Sequence, residues 1–179
     1  MTQTKKKVNK LAIASIAFVI ALLVMLPVVA MLNTTSAYAL LDWNLVDSGK
    51  HLDWDGDTEY MDEWNASVDV WEDYKSGVIR EDSFWVIEDV KISDYYEESS
   101  TMAVTSSGGT IKFNDYHFAS MTTGQRQKTM IHEIGHALGL GHNNSDTTSI
   151  MSQGKREQTW LSDDDKAGYD AAYELYDEQ

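Results

Sequence analysis

The chain's apolar residues follow different patterns along its length, and each pattern predicts a different kind of segment. Residues 11–32 form an almost unbroken apolar run without a charge, with Lys5, Lys6, Lys7 and Lys10 before it and Asn33-Thr34-Thr35-Ser36 after it. Over residues 59–74 the side chains Tyr60, Trp64, Val68 and Trp71 recur at the spacing of one helix face. A helix is predicted there, with Asp57 or Thr58 as its N-cap and Gly77 just beyond its end. Residues 84–92 are dense in β-branched and aromatic side chains and predict a strand, and a shorter one is expected around residues 51–54. Residues 101–105 and 110–114 read as two short strands about the turn Ser106-Ser107-Gly108-Gly109.

Helices dominate the C-terminal part of the chain. One is predicted to start at Thr122 or Thr123, where Thr122 and Gln125 have the spacing of a capping box. It carries Met130, Ile131, Ile134 and Leu138, and it stops near Gly139 and Gly141. Another opens with Ser162-Asp163-Asp164-Asp165: the serine is a natural N-cap and the aspartates suit the positive end of a helix. Its apolar face is Tyr169, Ala172, Tyr173 and Tyr176. Strands followed by segregated helices predict an α+β domain.

The first apolar run is targeting material rather than fold. A basic start, an apolar stretch and the small-x-small sequence Ala37-Tyr38-Ala39 predict a signal peptide over residues 1–39, cut after Ala39. The run exceeds the usual signal core, although Pro27 interrupts it, so an uncleaved membrane anchor is the alternative. Either way the lysines hold the N-terminus inside and send the rest of the chain out of the cytoplasm. Residues 40–179 show no repeat, linker or low-complexity block and are expected to form a single domain, a monomer.

Composition narrows the chemistry. The chain has no cysteine, which excludes disulfides, thiol catalysis and thiolate zinc sites. All 29 acidic residues lie beyond Ala39, while four of the 14 basic ones lie before it. So acidic a domain repels phosphate backbones, which excludes nucleic acid as a partner. The plain reading of the charge is solubility; the sharper one is bound calcium or a taste for basic substrates. The acidic stretch Asp53-Trp54-Asp55-Gly56-Asp57 hints at calcium, but its glycine is misplaced for an EF-hand loop, and it is read as an exposed aspartate turn.

The residues with the most chemistry to offer are His132, Glu133, His136 and His142. His132 and His136, one turn apart, project from one helix face and can share a zinc ion. Gly139 lets the chain turn sharply and bring His142 back as a third ligand. Three protein ligands leave a fourth position open, as a catalytic zinc requires. Glu133 lies beside the first ligand and can reach a water without ligating the metal itself. Satisfied packing histidines are the simpler alternative. They do not explain why three of the five histidines fall at ligand spacing.

The run His132-Glu133-Ile134-Gly135-His136-Ala137-Leu138-Gly139-Leu140-Gly141-His142 resembles the zinc signature of the metzincin metalloproteases, and most closely that of the matrixin branch. Astacins usually place glutamate after the third histidine and adamalysins aspartate, where this chain has Asn143. Serralysin calcium repeats are absent. Ser149-Ile150-Met151 is similar to the family's methionine turn, with Met151 as a floor beneath the ligands, and residues 161–169 resemble the start of its last helix. The resemblance is specific over residues 109–173 and loose over residues 40–94.

It implies a metzincin-like zincin fold, with a twisted mixed β-sheet, an active-site helix and a C-terminal helix. It also implies one catalytic Zn2+ on His132, His136 and His142, Glu133 as general base, and a protein or peptide substrate. That substrate would lie extended along the edge strand Thr101, Met102, Ala103, Val104 and Thr105, with residues 152–156 shaping the specificity pocket. Matrixins commonly carry a propeptide whose cysteine caps the zinc, and this chain has none. The expectation is a secreted endopeptidase that is active once folded and loaded, the alternative being a carboxylate switch through Asp42 or Asp47. Two other readings stay open: an inactive zinc-binding module for adhesion or interaction, and a membrane-anchored regulatory protease.

Overall fold

Strand β5 (Thr110–Asn114) alternates fully buried Ile111 and Phe113 with exposed Lys112, and β3 (Val90–Tyr95) alternates Val90 and Ile92 with Lys91. One face of each strand is therefore core, and pairing register is set by keeping that face inward. The computed structural model describes residues 38–82 and 88–176, all within the unit Ser36–Gln179. The leader up to residue 37 and the first part of the strand predicted over 84–92 lie outside the described residues. Among the described residues no helix is long and apolar enough to cross a membrane.

Among the described residues five strands make one mixed sheet in the order β2-β1-β3-β5-β4. β1 (Leu52–Gly56) lies between β2 (Ile79–Glu81) and β3, parallel to both, and β3 runs parallel to β5. β4 (Ala103–Ser106) closes the sheet as an antiparallel edge strand, Ala103 opposite Phe113 and Thr105 opposite Ile111. The predicted hairpin is present, as are the α+β class and both late helices.

Helix α1 (Met61–Glu72) buries Glu63, Trp64, Ser67 and Trp71. Trp64 meets Trp54 of β1 edge-on at 5.3 Å and Phe113 of β5 at 5.9 Å, joining the helix to the sheet. A buried tryptophan withdraws about 200 Å² from water, worth roughly 5 kcal/mol before ordering costs. The same helix also packs on the long helix α3 (Thr123–Ala137), where Trp71 Nε1 donates to Ile131 O at 3.0 Å and Arg126 Nε donates to Glu63 Oε1 at 2.7 Å. A short helix α2 (Asp115–Phe118) follows β5, and α4 (Asp163–Leu175) ends the described chain. The core thus lies between the sheet and a layer of helices, and α3 is buried over nine of its fifteen residues.

Local signals misplace several features. α1 starts at Met61 with Tyr60 as N-cap and no side-chain cap. Asp57 and Thr58 do not cap it, because Asp94 of β3 takes the Thr58 hydroxyl at 2.6 Å and the Glu59 N–H at 2.8 Å. Residues 53–57 are not an exposed turn: β1 runs through Gly56, and Asp53 and Trp54 are buried. Asp53 tolerates burial because Arg80 on β2 grips both its oxygens at 2.7 Å. β2 itself goes unpredicted, a three-residue strand created by pairing with β1.

Gly56 ends β1 at φ +115°, and a Cβ there would stand 2.2 Å from the carbonyl oxygen of Ile92. Gly56→Ala is expected to lose about 3 kcal/mol or more in urea unfolding. An unfolding midpoint equal to that of the parent would contradict the β1–β3 register.

Candidate metal centre

Helix α3 is held at both ends by local chemistry. Thr122 and Gln125 form the predicted capping box, and Leu138 is the C-cap, followed by Gly139 at φ +94°. The left-handed glycine reverses the chain without a Cβ penalty. The segment after it is fastened by residues 39–41: Gly141 N donates to Ala39 O, and Leu41 N donates to Gly139 O, both at 2.8 Å. That reversal returns His142 to the face carrying His132 and His136.

The three imidazoles converge, with ring centroids 4.7 to 5.2 Å apart and one ligand nitrogen from each within 4.8 Å of the others. His132 Nδ1 lies 2.9 Å from Ile150 O, and His136 Nδ1 lies 2.8 Å from Leu140 O. A carbonyl only accepts, so both Nδ1 atoms carry the proton and each Nε2 keeps its lone pair. His136 Nε2 and His142 Nε2 stand 3.1 Å apart. That is near the roughly 3.4 Å edge of a tetrahedron with zinc–nitrogen bonds of about 2.1 Å. Burial keeps the rings neutral: it holds His132 well below its ordinary value, lowers His136 to about 4 and lowers His142, with the Lys128 charge adding to each. Neutral imidazoles with free Nε2 atoms are what a divalent zinc needs, so the residues fit the metal.

Glu133 is buried, and burial lifts its carboxyl to about 7 against the opposing pull of the Thr105 hydroxyl and the Lys128 charge. Thr105 Oγ1 lies 2.7 Å from Glu133 Oε2 and 3.0 Å from Glu133 O. Having one proton, the hydroxyl donates to the nearer carboxylate.

Met151, expected as a floor for the site, is 2% exposed and lies against Gly135 of α3. A Cβ on Gly135 would come within 2.5 Å of its sulfur, so the helix lacks a side chain where it crosses this floor. The turn holding Met151 is tied to α4 by Asp165, which accepts from Ser149 Oγ at 2.6 Å and Ile150 N at 2.8 Å, and from Ser162 N at 2.8 Å. Since Ile150 O orients His132, the carboxylate of Asp165 acts on the site through one residue, Ile150.

A cleft of roughly 410 Å³ opens over these groups. Thr101, Met102, Ala103, Val104 and Thr105 form one wall, with Val104 exposed on the edge strand β4. Lys128, Thr129, Gln153 and Gly154 form part of the other, so the segment after the methionine turn does border the cleft. Neither Asp42 nor Asp47 lines it, and Asp47 instead clusters with Asp53 and Asp89 around Arg80. His117 bonds Ser99 O at 2.8 Å and His51 lies beside Asp47, so neither joins the histidine cluster. Sequence reasoning missed Lys128, the Thr105 hydroxyl and the tie made by Asp165. Only Lys128 had a local signal, its four-residue spacing from His132.

A mixed sheet under an active-site helix, with three converging histidines and a glutamate, defines a zincin-type domain. The matrixin family, peptidase M10, matches residues 47–174, and the chain belongs to that family of zinc-dependent peptidases. No curated protein sequence matches the chain. Among solved structures it is similar to one described as the "GM1 bound form of the ECX AB5 holotoxin", at a TM-score of 0.54 and 15% identity over 77% of this chain and 89% of that one. At that identity the likeness concerns the fold alone.

Replacing Asp165 with Asn turns an N–H toward donors that the carboxylate now satisfies. Asp165→Asn is expected to lower stability by about 2 kcal/mol and zinc affinity by roughly tenfold to a hundredfold. Urea unfolding and competition with a chromophoric chelator measure the two effects. Unchanged zinc affinity would mean that the tie to Ile150 does not orient His132.

Proposed function

We propose that this domain is a secreted zinc endopeptidase, with His132, His136 and His142 holding the metal and Glu133 as its general base. The observation that carries the reading is a buried carboxylate in the cleft, beside three imidazoles that each bring one ligand nitrogen within 4.8 Å of the others. Zinc, when bound there, supplies a Lewis acid that eases deprotonation of a water and polarises a carbonyl. Glu133 takes the proton from the attacking water and hands it to the departing amine. Thr105 engages Oε2 and leaves Oε1 to exchange that proton. Met151 keeps the floor under the imidazoles apolar and is not a ligand. The substrate lies extended along β4, its backbone pairing with the edge formed by residues 101–105.

An inactive binding module has no need of Glu133, and that residue favours the enzyme over the module. Asp42 and Asp47 stand away from the cleft, which favours an enzyme active once folded and loaded over one held by a carboxylate switch.

Glu133→Gln is expected to keep a full equivalent of zinc while cleavage of a quenched peptide falls about a hundredfold to ten-thousandfold. His142→Ala, in the same assays, should give up its metal to a mild chelator. A zinc-loaded Gln variant with parental activity would end this mechanism.

Export by a cleaved leader is part of the same proposal. Around the Ala39–Leu40 bond the backbone pairs with residues 139–141, whereas a peptidase needs an extended, unpaired segment. Cleavage therefore has to precede folding. Mass spectrometry of the culture medium is expected to find an N-terminus at Leu40; a cell-bound protein with an intact leader would replace secretion by membrane anchoring.

A further inference from the structure

Lys128 lies one turn before His132 on α3, so its side chain shares the face that carries the histidines and lines the cleft. It is 2% exposed. An ammonium has three N–H donors, and the hydrogen bond that Lys128 makes goes to the carbonyl of Ser152. Among the described residues no carboxylate forms an ion pair with it; Glu133 and Asp165 act on it only at longer range.

Two other buried charges in this fold, Asp53 and Glu63, are matched by a cation. Arg80 grips Asp53 and Arg126 meets Glu63. Leaving a buried ammonium without a counter-charge is costly, and the cost is relieved when a carboxylate arrives. The surroundings add to the demand, because Arg156 places a second positive charge within range of Lys128. Among the described residues Lys128 is the one lysine or arginine lining the cleft, in a chain with 29 acidic residues against 14 basic ones. Lys128 is also near the reacting centre, since side chains one turn apart on a helix have Cβ atoms about 6 Å from one another. The substrate residue that meets it must therefore be next to the bond being cut.

We propose that Lys128 determines specificity and selects an aspartate or glutamate side chain at a residue flanking the scissile bond. This rests on the peptidase reading above and names its substrate class. An acidic side chain pairs with the ammonium inside the cleft, whereas an apolar one buries the ammonium without a counter-charge. The overall negative charge of the domain does not oppose this, because distant charges are screened over about 10 Å while the cleft pair is not.

The competing explanation is that Lys128 only ties residue 152 to α3. A peptide-library digest with the zinc-loaded enzyme identifies the flanking position, and matched peptides carrying Glu, Gln or Leu there give kcat/KM for the parent, Lys128→Arg and Lys128→Met. The parent and the Arg variant are expected to favour Glu over Leu at least about tenfold, and the Met variant to lose or reverse that preference. A parent without acidic preference overturns the proposal. So does a Met variant that slows every peptide equally with the preference intact.

Binding separates this idea from the peptidase reading. Zinc-loaded Glu133→Gln should bind the Glu peptide more tightly than the Leu peptide, and adding Lys128→Met should erase the difference. Hydrolysis without acidic preference sinks the specificity and spares the peptidase. A binding preference in a protein that cleaves nothing sustains the acidic subsite and sinks the peptidase.

Discussion

Asp165 accepts hydrogen bonds from Ser149, Ile150 and Ser162 in a site that is 2% exposed, and the metal centre depends on that knot. The carboxylate completes the capping box of α4 and at the same time clasps the turn containing Ile150 and Met151. The carbonyl of Ile150 then sets the tautomer of His132, and the side chain of Met151 fills the space left by Gly135. One buried anion thereby joins the last helix, the methionine turn and the first histidine. Its burial is tolerable because donors surround it, whereas an unsatisfied carboxylate there would cost several kcal/mol.

The second constraint is the reversal after α3. A helix can present His132 and His136 on one face by itself, but a third imidazole has to come from chain that has turned back. Gly139 permits the turn, and pairing of residues 39–41 with residues 139–141 holds it. The start of the domain therefore supports the third histidine, although no residue of that stretch lines the cleft. Asp53 and Glu63 are buried in matched pairs with Arg80 and Arg126. In the cleft the pattern differs, with Glu133 held by a hydroxyl and Lys128 by a carbonyl. Groups left short of a full partner are where a substrate has something to gain by binding.

Much of this was legible from neighbours along the chain. The capping box of α3, the serine N-cap of α4, the hairpin at residues 106–109, the helical face that places His132 over His136, and the glycine that ends α3 are local matters, decided within a few residues by backbone geometry. The choice of His142 as third of the cluster and of Met151 as floor could be made from the motif's resemblance to matrixins; the structure brings His142 to the other two imidazoles and places Met151 against Gly135 of α3.

What the sequence could not determine lies in contacts between residues far apart in it. Thr105 and Glu133 are 28 positions apart, and nothing about a threonine on an edge strand announces a hydroxyl aimed at that carboxylate. Asp53 looked like surface until Arg80, 27 positions on, neutralised it, and Thr58 looked like a cap until Asp94 claimed its hydroxyl. Three adjacent aspartates open α4, and only packing decides that the third turns inward to Ser149 while its neighbours stay toward water. Composition and spacing determine which local structures a chain can form. Which polar groups lose their water, and so must find a partner, is decided only when the elements close on one another.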